Sequence, residues 1–372
     1  MKIPLLRSIA LSLTLLLGYS AASACTEITL KAKSGAVVLG RTLEFGPNLA
    51  SYIMTEPRGK SFKMTAPNGK PGVSWRSKYG YVYMDYFHSG HPLDGMNEQG
   101  LSFADLYLPG ETQYPSVPQG KESTALPYTY LGDWVLGNFT TVAQVKKALQ
   151  NVTIFPKAES FPGHPNVIFP LHVIITDAQG NSIVIEFLKG KMYIDKDKLG
   201  ILTNAPTFPW QMTNLKNYAN LSPYSPASIK VDGYAYTGTG QGSGMVGLPG
   251  DTTPPSRFVK MAFLTQTALP VKNSLDALNL AQHILNTVDI PNGLVRGVKG
   301  TKDENATETT QWTVFKDLTH RVLYFTSYHD TTLQAISLSQ LNFAPNAPQL
   351  KMPLAGSSTS ILNATKRLVA GA

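Results

Sequence analysis

The chain contains one cysteine, Cys25, and it follows a segment that reads as a cleavable secretion signal. Lys2 and Arg7 form a positive start, Ile9 to Leu17 an apolar stretch, and Ala22-Ser23-Ala24 a small-residue cleavage site. Cutting after Ala24 would make Cys25 the first residue of the mature chain. A thiol and a free α-amine would then share one residue. The thiol is a nucleophile, and an α-amine titrates at about 7.7–8.0, so it can serve as a base near neutral pH. Two other readings compete. A Cys after a signal is also where a lipid anchor is attached, although Ala22 replaces the Leu usual three positions earlier. A chance small residue at the start of an exported domain is the third.

Removing 24 of the 372 residues leaves 348, enough for one large domain or two average ones. A hydrophobic share of 42% and a charged share of 15% fit an ordinary globular protein. No later apolar run approaches the ~18 residues that span a bilayer. A single Cys excludes an intrachain disulfide and a Cys-rich metal site. An exported protein that keeps one unpaired thiol suggests a use for it. The formal charge of +8 is scattered rather than blocked, which argues against nucleic-acid binding. Only His88 and His91 lie close together among the seven histidines, and no metal-binding spacing is present. The reading therefore needs neither metal nor cofactor.

TEITLKAK alternates as a half-buried strand should, Ser34-Gly35 signals a two-residue turn, and AVVLGRTLEF returns. That loop pairs Cys25 with Glu44 and Arg41 with Ile28, and brings an arginine and a carboxylate to the mature N-terminus. YVYMDYF, GLSFADLYL, LHVIITD, SIVIEFL, TQWTVFKD and RVLYFTSY read as further strands. Helices are expected over 128–150, with Thr140 or Thr141 as cap, over 207–220, and in PPSRFVKMAFLTQTAL and SLDALNLAQHILNTV. Hairpins flanking a helical block predict an α+β fold with antiparallel sheets covered by helices, in one domain over 25–372.

Four further segments stand out: GRTLEF with Arg41 and Glu44, DGMNEQGLSFADLYLPG with Asn97 and Tyr107, LTNAPTFPWQMTNLKNY with Asn204, and GLPGDTTPPSRF with Arg257. Each alone has a plain explanation as a surface pair, a turn or a first helical turn. In this order behind an N-terminal Cys they resemble the choloylglycine hydrolase family of penicillin V acylases and conjugated bile salt hydrolases. The resemblance runs from Cys25 to about Tyr328. It implies a four-layer αββα N-terminal-nucleophile hydrolase sandwich that hydrolyses a linear amide through a Cys25 thioester. It further implies that Arg41 favours the thiolate, that Glu44 stands where the family usually has an Asp binding the N-terminal amine, and that Asn204 supplies an oxyanion donor. Arg257 matches the remaining active-site arginine. Tyr107 falls where penicillin V acylases often carry Tyr and bile salt hydrolases Asn.

Tyr107, Phe208 and Trp210 suit an aromatic or aliphatic acyl group, such as the phenoxyacetyl of penicillin V or the acyl chain of an N-acyl homoserine lactone. Core packing is the plain alternative for Trp210. Conjugated bile salts are the second substrate class, and a Cys25-lipidated binding protein on the same scaffold is the non-enzyme alternative. The expected location is periplasmic or secreted. The resemblance also suggests a homotetramer.

Overall fold

The computed structural model describes residues 24–161, 164–301, 304–356 and 358–368. The expected signal segment, apart from Ala24, lies outside them. The first described strand, β1 (Cys25–Lys31), pairs antiparallel with β2 (Val37–Phe45). Their loop has three residues rather than two. Ala32 N–H bonds to Ala36 O at 2.9 Å, and Gly35 sits at φ +87°, a left-handed conformation that glycine adopts without steric penalty. The extra loop residue shifts the register by one. Cys25 pairs with Leu43, and Glu27 rather than Ile28 pairs with Arg41. Because side chains alternate, a one-residue slip moves a whole strand face. The observed register therefore puts Arg41 on the face that carries Cys25, where the two-residue loop would have turned it away.

β1 and β2 lie in a seven-stranded sheet. Its main path runs Ile201–Leu202, β1, β2, Thr307–Asp317, Val322–Ser327 and Gln334–Ser337. An eight-stranded antiparallel sheet contains Asp94–Asn97, Ser102–Tyr107, Leu171–Thr176 and Ser182–Leu188 among its strands. The expected 128–150 helix is two helices, α1 (Leu131–Asn138) and α2 (Val142–Leu149), which pack beside this second sheet. Thr141 caps α2 by accepting from Gln144 N–H, as expected. The short α3 (Phe208–Asn214) leads into the outer layer of the first sheet. That layer is α4 (Pro254–Thr267) and α5 (Ser274–Leu285). The order is helix, sheet, sheet, helix, a four-layer αββα sandwich.

β1 is not half-buried. Glu27 and Ile28, on opposite faces, are both fully enclosed, because one face meets the second sheet and the other meets α4 and α5. Gly40 explains part of the GRTLEF motif. A Cβ there would stand 2.7 Å from Leu285 Cδ1 and 3.0 Å from Phe315 Cδ1, so a larger residue would force those side chains to move aside where α5 packs on β2.

Candidate active site

Cys25 begins β1 at the edge of the intersheet layer and is 3% exposed. Arg41, two residues from Leu43 on β2, extends along the same face. Its Nη2 stands 3.8 Å from Cys25 Sγ. The guanidinium is held by Leu93 O at 3.0 Å, Asp94 Oδ2 at 3.1 Å and Asp105 O, and its centre lies 5.5 Å from the Trp312 ring. Burial pushes the thiol above its ordinary pKa, and Arg41 is the strongest influence pulling it back down.

The chain is continuous through Ala24–Cys25, so the Cys25 nitrogen here is an amide. It donates to Asn204 Oδ1 at 2.8 Å. Arg257 Nη2 reaches the same oxygen at 2.7 Å, while its Nη1 donates to Cys25 O and to Thr26 Oγ1. Arg257 is fully buried in the first turns of α4, where Pro254 and Pro255 open the helix. Asn204 Nδ2 donates one hydrogen to Tyr107 O at 2.8 Å. An amide nitrogen carries two hydrogens.

The loop that carries Asn204 is anchored from three sides. His172 Nε2 lies 3.0 Å from Thr203 O, Glu186 Oε1 accepts from Phe208 N–H at 2.8 Å, and Thr203 Oγ1 donates to Pro254 O at 3.1 Å. Nothing in the motif reading singled out His172 or Glu186, because they lie on strands distant in sequence from that loop.

Glu44 sits close enough to influence the Cys25 thiol electrostatically. Its Oε1 accepts from Thr310 Oγ1 at 2.8 Å. Burial raises the Glu44 carboxyl to about 7 against the pull of Arg257, and Glu308 is raised to about 8 by burial and by Glu44.

Above the thiol opens an apolar cleft walled by Phe45, Leu49, Tyr86, Tyr107, Phe169 and Leu171. The rings interlock. Phe45 meets Tyr107 edge-on at 6.2 Å, Tyr86 meets Phe169 edge-on at 5.9 Å, and Phe87 stacks on Phe169 at 6.4 Å. Phe208 and Trp210 are not among the wall residues. Phe208 opens α3 and packs on Phe258 in the core at 6.2 Å, and Trp210, two positions on, is 45% exposed. The cleft aromatics come instead from β2 (Phe45), from the end of the strand Ser102–Tyr107 (Tyr107, as expected from the motif) and from loops after residues 84 and 167. Sequence inspection missed Tyr86, although YVYMDYF was noted as a strand.

Among the described residues, no cluster of three His, Cys, Asp or Glu groups could hold a metal ion, and no helix is long and apolar enough to cross a membrane.

Residues 25–352 match the linear amide C–N hydrolases of the choloylglycine hydrolase family. The chain belongs to the choloylglycine hydrolase family. It is accordingly a linear amide C–N hydrolase. It is 34% identical over 328 residues to a bile salt hydrolase/transferase from Clostridium perfringens, covering 87% of this chain and 94% of that one. It is 25% identical to a penicillin V acylase from Pectobacterium atrosepticum, covering 90% and 87%. A crystal structure of a conjugated bile acid hydrolase from Clostridium perfringens superposes with a TM-score of 0.77 at 32% identity, covering 91% of this chain and 99% of that one. The match confirms the N-terminal-nucleophile hydrolase fold expected from the motifs.

Proposed function

We propose that this chain is an exported amidase that removes an aromatic acyl group from nitrogen, in the manner of a penicillin V acylase. The observation that carries the reading is the aromatic cleft standing directly over a thiol that touches an arginine. Planar ring walls favour a flat aryl group, which can meet them edge-on or face-on, over a bulky aliphatic one. An acyl chain of a homoserine lactone would use the same apolar walls.

In this mechanism Cys25 Sγ attacks the amide carbon, forming a C–S bond while the carbonyl π electrons move to oxygen. The α-amine, freed when residues 1–24 leave, accepts the thiol proton and passes it to the departing nitrogen. The second Asn204 Nδ2 hydrogen meets the oxyanion. Water then attacks the thioester, releasing the acid and restoring the thiol. Arg257, bonded to Cys25 O, Thr26 and Asn204, fixes the nucleophile against its oxyanion donor.

Conjugated bile salts are the second reading, favoured by the 34% identity to a protein named for that activity. A hydrolysis panel of penicillin V, penicillin G, glycocholate, taurocholate and acyl homoserine lactones separates the classes. A kcat/KM for glycocholate well above that for penicillin V would refute the aryl preference. Mass spectrometry of the N-terminus tests export processing, since an acylated Cys25 would favour the lipidated binding protein.

A further inference from the structure

The intersheet layer behind the nucleophile contains charges that acyl transfer does not touch. Lys316, on the strand Thr307–Asp317, pairs with Leu39 and so shares the face of Arg41 and Cys25. It is fully buried. Its Nζ donates to Asp94 Oδ1 at 2.7 Å and stands 3.7 Å from Glu27 Oε2. Asp94 Oδ2 receives Arg41, and Arg41 reaches the sulfur. Among the described residues, neither Glu27 oxygen has a hydrogen-bond partner. A continuous string therefore runs from the thiol through Arg41, Asp94 and Lys316 to Glu27.

Packing does not demand this string. Apolar groups of similar volume often replace a buried ion pair with neutral or favourable effect on stability. The charge balance supplies a reason to keep it. Arg41 and Asp94 alone sum to zero, so the carboxylate would cancel much of the guanidinium's attraction for a thiolate. Lys316 cancels Asp94 instead and leaves one net positive charge facing the sulfur. Ionised Glu27 would remove that charge again. Its carboxyl is pushed up to about 7 by burial, against the pull of Lys316. Asp105 also faces Arg41, and burial drives its carboxyl well up against the pull of that guanidinium. Asp197 acts on Glu27 in the same sense as Asp94, while Glu44 and Arg257 act on the thiol with opposite signs.

We propose that Lys316 is a positioning residue for the amide hydrolysis, acting through Asp94 and Arg41 to hold a net positive charge behind the Cys25 thiol, with Glu27 as its opposing group. This rests on the reading of Cys25 as nucleophile, but its test does not need turnover. Cys25 is the only thiol in the chain, so iodoacetamide alkylation followed by intact mass reports its ionisation against pH.

Lys316→Met should raise the alkylation midpoint by about one unit or more. At a pH below both midpoints, that slows alkylation about tenfold or more. Lys316→Arg keeps the charge and should hold the midpoint within about half a unit of the parent. Glu27→Gln should move the midpoint down. A packing role would lower Tm without moving the two midpoints in opposite directions. The proposal fails if Lys316→Met leaves the midpoint in place, if Lys316→Arg shifts it as far as Met does, or if Glu27→Gln does not lower it. Should Lys316→Met not fold, the Glu27→Gln shift decides alone. Failure of the nucleophile reading looks different, as amidase activity that survives complete alkylation of the parent protein.

Discussion

Asn204→Ala separates chemistry from scaffolding at the centre of the site. Its side chain makes three hydrogen bonds, from Cys25 N, from Arg257 Nη2 and to Tyr107 O. The bond from the charged arginine is worth about 1.5–3 kcal/mol and each of the others about 0.5–1.5 kcal/mol. Water entering from the cleft recovers part of this, so a stability loss of about 3 kcal/mol is expected. The rate effect is separate. If the second Nδ2 hydrogen meets the oxyanion, its removal costs about 2.7–4 kcal/mol in the transition state, or 10²–10³ in kcat. KM should change little, because the charge exists fully only in the tetrahedral species. The assay is kcat and Tm on one preparation, with kcat corrected to the folded fraction. A lowered Tm with kcat within about threefold of the parent would refute the reasoning, since that is far below the loss an oxyanion donor produces. Asn204 would then be a strut that holds Arg257 against the Cys25 carbonyl.

Three further outcomes are expected. Cys25→Ser should fold but lose nearly all turnover, since a hydroxyl is much harder to ionise than a thiol; an active serine variant would remove the thioester. Glu308 is raised from 4.5 to about 8 in the folded chain, so the folded state holds its proton more tightly than the unfolded state does. Stability should therefore fall as pH rises from about 4.5 through about 8, and Glu308→Gln should flatten that decline in a Tm–pH series; an unchanged slope would place the proton elsewhere. Phe45→Leu should raise KM for aryl amides about threefold to tenfold relative to aliphatic ones, by loss of ring–ring contact, whereas Trp210→Ala should leave both unchanged. The reverse pattern would return the acyl site to α3.

The amino-acid sequence by itself determined the candidate nucleophile, the strand–turn–strand that begins with it, the helix start at Pro254, the Thr141 cap, and the motif order that marks the family. These are local signals, carried by residues close together along the chain. Tertiary structure decided the rest. One residue in the Lys33–Gly35 loop placed Arg41 beside the thiol, because side-chain facing has period two and register depends on the turn conformation. The Cys25 N–H met Asn204, 179 residues away. The cleft over the thiol took Phe45, Tyr86 and Phe169 from three separate segments, while the TFPW aromatics turned to the core and to solvent. Lys316 reads in sequence only as one charge near the end of the strand TQWTVFKD. Only the stacking of the second sheet over its face encloses it and ties it to Asp94, 222 residues away. Contacts of that range follow from how two sheets close on each other, and no local pattern encodes them.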